Sequence, residues 1–227
     1  MTVRDSVADG RYLVLGGSGR TGSLVTSLLL ERGARVTVAG RRPRGVAGAA
    51  GTVSTADTVV VDLASGFDAA QLDGYDGVVI SVEPPTDDHG AEAVMHHGVA
   101  AVAKAAARSG ARVVLVSQIY ITRAAEHPDM SGIVTARGRG EEALRASRAA
   151  YTIVRPAWLT SGPASGVRLE QGDAGDGRIS RASVAAAAVA ALVSQDAAGK
   201  TFEIYDAGDA VPDWSAEFAA LAADSGA

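Results

Sequence analysis

Gly16, Gly19 and Gly22 recur at every third position in the run Gly16-Gly17-Ser18-Gly19-Arg20-Thr21-Gly22, between an apolar stretch, Tyr12 to Leu15, and an amphipathic one, Thr21 to Arg32. Glycine at this spacing acts by leaving side chains out. The first allows a tight turn, the second lets backbone approach a pyrophosphate, and the third lets a helix pack closely on a strand. The helix start then presents free N–H groups and a partial positive charge to phosphate oxygens. Ser18 and Thr21 add hydroxyls there, and Arg20 adds a guanidinium. A glycine-rich turn that binds nothing is the bland alternative. Strand before and helix after are what phosphate binding requires, which favours a dinucleotide.

The residues after the second strand discriminate between dinucleotides. Sheets that prefer NAD usually end this strand with an acid that bonds the adenosine ribose. Here the strand Arg35 to Ala39 runs into Gly40-Arg41-Arg42, with no acid. Two guanidinium groups favour a 2′-phosphate, which they can grip through paired hydrogen bonds. The expected cofactor is therefore NADP(H), held in part by Arg41 and Arg42; solvated loop charges are the alternative. Asp62, in Val61-Asp62-Leu63, is placed either to accept from the adenine amino group or to cap a turn.

Other chemistries find little support. Cysteine is absent, which excludes disulfides and thiolate metal sites. Of the histidines, His89 and His96 can share a helix face, but no carboxylate joins them at a ligand spacing in this reading, and no metal site is expected. His97 is an outside candidate for an acid, and His127 falls in a loop. There is no Gly-x-Ser-x-Gly nucleophile elbow, and the glycine turn lacks the Gly-Lys-Ser/Thr of an ATP phosphate loop.

The elements that must position the glycine turn alternate along the whole chain. Strands are expected at Tyr12–Leu15, Arg35–Ala39, Val59–Val61, Val78–Val82, Val113–Val116, Tyr151–Val154 and Thr201–Tyr205. Helices are expected at Thr21–Arg32, Ala91–Ser109, Ser131–Ser147, Ala182–Ser194 and near Trp214–Ala223. Arg44–Ala56, Arg123–Gly132 and Ser161–Gly177 are expected to be loops. Continuous valine runs mark strands covered on both faces and joined by right-handed crossovers. The fold class is α/β: a single, doubly wound, Rossmann-like domain of about seven mainly parallel strands spanning 1–227. A small substrate-loop region is expected from about 156 to 227.

With only 4% aromatic residues, the sheet and helices must pack through valine, alanine and glycine. The net charge of −5 opposes direct binding of nucleic acid or an anionic membrane. No apolar signal-like stretch occurs in Met1–Arg11, and Val184–Val193 is too short to span a bilayer. The expectation is a cytoplasmic protein, a monomer or homodimer, acting on a small molecule. All but two of the 21 basic residues are arginine, so arginine can stand where lysine usually does.

The chain resembles the atypical, NmrA-like branch of the short-chain dehydrogenase/reductase superfamily. The resemblance rests on the glycine turn, Asp62-Leu63, Val113-Val114-Leu115-Val116-Ser117 and Tyr151-Thr152-Ile153-Val154-Arg155-Pro156. It implies cofactor contacts from Leu63, from Ser81, Val82 and Glu83 at the ribose, from Ser117 and Gln118 beside the nicotinamide, and from Pro156, Ala157 and Trp158 over its carboxamide end. It also implies a Tyr-x-x-x-Lys pair for proton transfer, and here the chain departs. Ile133 falls at the tyrosine position and Arg137 at the lysine position. Catalytic roles then pass to Ser117, to Arg137 as a ribose or phosphate holder, and to Tyr120 as substitute donor or as a packing residue under the 123–132 loop. Ile119, Tyr120, Ile121, Met130, Trp158 and Leu159 are expected to wall the substrate pocket. The implied activity is NADPH-dependent reduction of a small apolar carbonyl, quinone or flavin-like compound. An NADP(H)-sensing regulator and a non-redox epimerase or isomerase are the alternatives.

Overall fold

A computed structural model describes residues 6–48, 55–208 and 210–225 of the protein. The first residues, 1–5, and residues 49–54 of the expected 44–56 loop lie outside the described residues. The strands are β1 (Arg11–Leu15), β2 (Arg35–Gly40), β3 (Asp57–Val60), β4 (Gly77–Ile80), β5 (Arg112–Val116), β6 (Tyr151–Pro156), β7 (Trp158–Thr160), β8 (Val167–Glu170), β9 (Arg178–Ser180) and β10 (Lys200–Asp206). Eight of them form one sheet in the order β3-β2-β1-β4-β5-β6-β10-β8. Every ladder in it is parallel except the last, where β8 runs antiparallel to β10. The remaining two, β7 and β9, pair in parallel as a separate small sheet.

The alternation along β1 shows how the layers are built. Tyr12 and Val14 face the layer that holds α1 (Gly22–Glu31) and α5 (Arg181–Val193), while Leu13 and Leu15 face α3 (Val99–Ser109) and α4 (Ser131–Arg145). Both faces are thus covered, and β4 and β5 are buried at every position. Val25 and Leu29 of α1 are fully buried, and each contributes about 1.5–3 kcal/mol. α5 starts where the Ser180 hydroxyl accepts from the Ser183 amide. It ends where buried Arg112 donates to the carbonyls of Ala191 (2.9 Å) and Ser194, a cation set against the negative end of a helix. Among the described residues no helix is long and apolar enough to cross a membrane.

Besides the unexpected β7 and β9, two further stretches differ from expectation. The expected 161–177 loop contains β8, whose Val167 and Leu169 pack against the core while flanking glycines hide the alternation in the sequence. The long helix expected from Ala91 begins earlier, as α2 (Asp88–Ala91), and passes through a π-helical segment (Glu92–Gly98) before α3. α4 lies so close to that segment that a Cβ on Gly140 would stand 2.0 Å from the Met95 carbonyl oxygen.

A charged network crosses the core. Buried Arg155 of β6 donates to Glu141 of α4 (2.6 Å) and to Glu203 of β10 (3.0 Å), and Arg145 adds a second contact to Glu141 (2.9 Å). Burial alone lowers the Arg155 pKa, but the two carboxylates outweigh it and hold the guanidinium above its ordinary value. Burial raises the Glu203 carboxyl above the usual range, with the Asp173 amide and Arg155 only partly opposing it. Removing the shared cation leaves buried Glu203 without a counter-ion and Glu141 with Arg145 alone. Arg155→Met is therefore expected to lower stability by about 3–5 kcal/mol in urea unfolding, whereas Arg145→Met, at the exposed end, should cost less.

Candidate functional site

A cleft of about 880 Å³ opens beyond the carboxyl ends of β1, β4, β5 and β6. The strand order reverses between β1 and β4, the place where open α/β sheets take their ligands. At its centre the glycine turn meets the end of β4. Gly16 has φ +78°, and a Cβ there would stand 2.2 Å from the Ser81 carbonyl oxygen; one on Gly22 would stand 2.2 Å from that of Gly16. The turn is closed by Gly16 N–H to Ala39 (2.8 Å) and Gly19 N–H to Gly16 (2.9 Å). The Ser23 and Val25 amides bond the Gly19 and Thr21 carbonyls, so an anion would meet the amides ahead of Ser23. Thr26, not anticipated from the sequence, ties helix to turn through its buried hydroxyl, which donates to Gly22 (2.9 Å) and Gly17 (3.3 Å).

The expected cofactor residues fall along this cleft. Gly16, Ser18, Gly19, Arg20 and Thr21 line its centre, with Gly22 packed behind them. Arg41, Arg42, Asp62 and Leu63 line one end. Asp62 caps the short turn that follows it, accepting from the Ala64 amide (3.1 Å) through Oδ1. Ser81, Val82 and Glu83 form the rim by β4, and Arg20 pairs with Glu83 across it (3.2 Å). Both partners are well exposed, so the pair is worth about 0–1 kcal/mol and is readily exchanged.

Ser117, Gln118, Pro156, Ala157 and Trp158 continue the lining, with Ile133 and Arg137 from α4. Two buried polar atoms here have no partner among the described residues: Ser117 Oγ and Arg137 Nε. Arg137 donates from Nη1 to the Val116 carbonyl (3.3 Å). Burial brings its pKa down to about 10, against the opposing effects of Glu141 and Glu83. It therefore stays cationic at neutral pH. Side chains left this way in a groove, beside a turn that no Cβ can enter, fit an elongated polar guest.

Tyr120 follows the packing alternative, its ring set against His127 and Arg123 of the 123–132 loop. Its hydroxyl, expected as a substitute proton donor, gives its proton to Asp176 (2.6 Å) and accepts from Trp158 Nε1 (3.0 Å). The residue has φ +74° and is pinned by buried Asp173, whose carboxylate takes the Tyr120 amide (2.7 Å) and the Thr122 amide (2.8 Å). The ring lies between His127 and the Arg123 guanidinium. Burial raises the phenol pKa, and Asp176 raises it further.

A carboxylate joins two of the histidines, though not the His89–His96 pair considered from the sequence. Ligand atoms of Glu92, His96 and His97 lie within 4.8 Å of one another. Glu92 is already engaged by His96 Nδ1 (2.7 Å) and Arg139 (3.0 Å). Arg155, whose segment was expected over the cofactor, turns its side chain into the core. Arg181 was missed: it lines the cleft from the first position of α5, and nothing in its local sequence says so.

The profile of the NAD(P)H-binding family matches residues 16–195. The chain belongs to the NAD(P)H-binding family. This agrees with the NmrA-like resemblance of its motifs. No curated protein matches the chain by sequence. Solved structures share its fold. An NAD-dependent epimerase/dehydratase from Bacillus halodurans is 23% identical, with TM-score 0.77 over 93% of this chain and 100% of that one. A short-chain dehydrogenase/reductase (wide type) from Veillonella parvula, in complex with NADP, is 19% identical, with TM-score 0.68 over 90% and 99%. An anaerobilin reductase from Escherichia coli O157:H7 is 20% identical, with TM-score 0.66 over 89% and 99%. In this NAD(P)H-binding protein the tyrosine that could have stood in for the family acid is bound to a carboxylate. Asp176→Asn is accordingly expected to move the Tyr120 phenolate transition to lower pH, read from phenolate absorbance against wild type; an unchanged titration would contradict the contact.

Proposed function

We propose that the protein is an NADPH-dependent reductase of a small, flat carbonyl, quinone or flavin-like acceptor. The observation that carries this is the pair of buried, unpartnered atoms, Ser117 Oγ and Arg137 Nε, in the cleft of an NAD(P)H-binding fold. When bound, the cofactor supplies a hydride. The chain supplies everything else. The glycine turn and the start of α1 seat the pyrophosphate, Arg41 and Arg42 grip a 2′-phosphate, and Asp62 faces the adenine.

Toward the other end, Arg137 holds ribose hydroxyls or a phosphate as a fixed cation. Its pKa of about 10 makes it a donor that does not release its proton near neutral pH. Ser117 O–H is the free hydroxyl nearest the end of β5, where it can donate to the nicotinamide carboxamide or to the acceptor's oxygen. Pro156, Ala157 and Trp158 cover this end. The segment from Pro156 to Leu159 forms the substrate side of the C-terminal part, while β10 and most of α5 belong to the sheet and its core; Ile119, Met130, Trp158 and Leu159 present apolar surface to a flat guest. Alignment of donor and acceptor in such a pocket contributes most of the rate. Quinones and flavins accept hydride without a dedicated acid, which suits a site with Ile133 at the acid position.

That same replacement, with the Tyr120 proton held by Asp176, favours one other reading: a protein that binds NADP(H) and senses it. Turnover separates the two. NADPH oxidation should appear with some member of a panel of quinones, flavins and activated ketones; tight NADPH binding with none turned over would establish the sensor. For the cofactor itself, NADPH is expected to bind more tightly than NADH in calorimetry. Replacing Arg41 and Arg42 by alanine should weaken NADPH by about tenfold or more, the scale of losing charge-assisted hydrogen bonds, and leave NADH nearly unchanged.

A further inference from the structure

One cation of the cleft has no part in the mechanism above. Arg181 is half-buried at the first position of α5 and faces the same space as Trp158 and Leu159. The small sheet brings it there. Trp158 is in register with Arg178, Leu159 with Ile179 and Thr160 with Ser180. The chain therefore enters α5 directly beside the segment that follows Ala157. Among the described residues the Arg181 guanidinium has no hydrogen-bond or ion-pair partner. The other cations are accounted for: Arg20 pairs with Glu83, Arg137 bonds Val116, and Arg41 and Arg42 stand at the end of β2.

A guanidinium partly withdrawn from water, with no counter-ion, is a place prepared for an anion. Its surroundings describe the rest of that ligand. Trp158 is 49% exposed and Leu159 37%, among the few large apolar side chains the protein leaves open to solvent. The indole is held in place by its bond to the Tyr120 hydroxyl, which is in turn fixed by Asp176. A flat apolar body can lie against these two residues while a charged group reaches the guanidinium.

The charged group is a carboxylate. One planar guanidinium matches one carboxylate through two parallel hydrogen bonds, and Arg181 alone lines this end of the cleft, since Arg178, in register with Trp158, is not among its lining residues. We infer that the acceptor is a planar, apolar compound bearing a carboxylate, with Arg181 as the residue that selects it. The inference rests on the proposed placement of the cofactor, which leaves Leu159 and Arg181 for the acceptor, with Trp158 between it and the nicotinamide end.

Calorimetry on the NADP⁺-loaded protein tests it, with 2-naphthoate and the isosteric but neutral 2-naphthamide as probes. Wild type is expected to bind the carboxylate about tenfold or more tightly than the amide, the scale of one charge-assisted pair. Arg181→Gln should abolish that preference and Arg181→Lys retain part of it, both with NADP⁺ affinity unchanged. Equal affinity of wild type for the two probes, no binding of naphthoate, or a preference that survives Arg181→Gln would overturn the inference while leaving the reductase reading intact. Failure of wild type to bind NADP⁺ at all would overturn both.

Discussion

Everything at the centre of this molecule depends on two stretches of bare backbone standing closer than side chains permit. Gly16 approaches Ser81 and Gly22 approaches Gly16 at distances that a single Cβ would close to 2.2 Å. Because β1 and β4 are neighbours in the sheet while their helices leave to opposite faces, a crevice must open at this point. The close approach makes its floor out of amide groups. The Thr26 hydroxyl reinforces it from beneath, bonding both Gly17 and Gly22. The turn is thereby held rigid before any phosphate arrives, and pre-formed amides lose little freedom when they bind.

A second constraint runs from the core to the floor of the substrate pocket. Arg145, Glu141, Arg155 and Glu203 form a chain of ion pairs, and Glu203 accepts from the amide of Asp173 (3.1 Å). The Asp173 carboxylate then captures the amides of Tyr120 and Thr122. Both Asp173 and Tyr120 have positive φ, which non-glycine residues adopt only when surroundings enforce it. The energy held in those two conformations is offset by hydrogen bonds that reach back to three separate elements, α4, β6 and β10. The outcome is a tyrosine fixed as a wall and a tryptophan fixed against it. The Tyr120 hydroxyl is engaged as well, its proton directed at Asp176.

The fold was legible because it depends on patterns with short period. Valine runs, amphipathic helices and the glycine spacing each report one element, and their alternation leaves one sheet architecture. The cofactor end of the cleft was legible for the same reason, since it is built at the first strand ends. The substrate end was not. Tyr120 lies 53 positions from Asp173 and 56 from Asp176, so its role depends on where the 161–177 segment packs. That segment carries β8 inside what composition describes as a glycine-rich loop. Arg181 was hidden similarly: its local sequence shows only a capped alanine-rich helix, and its function follows from the β7–β9 register. Glu92 and His96, four apart, pair on the π-helical segment, a contact that the ideal α-helical spacing of His89 and His96 does not announce.

Charge ties the two ends of the cleft together. The chain as a whole is acidic, at −5, yet the cleft is lined by Arg20, Arg41, Arg42, Arg137 and Arg181 against only Asp62 and Glu83. A concave groove with apolar walls concentrates the field of such a set, while the negative surface outside repels anions that miss it. Arg20 illustrates how the field is kept in reserve. Its bond to Glu83 is exposed and weak, so an arriving phosphate can compete for the guanidinium at little cost. Once the phosphates are neutralised by the turn and the arginines at the β2 end, Arg181 is left as the cation facing the open half of the groove. A neutral acceptor would gain nothing from it and would have to leave it partly desolvated. An anionic one would complete the charge balance of the cleft, so the distribution of arginine, more than the apolar lining, favours the proposed acceptor.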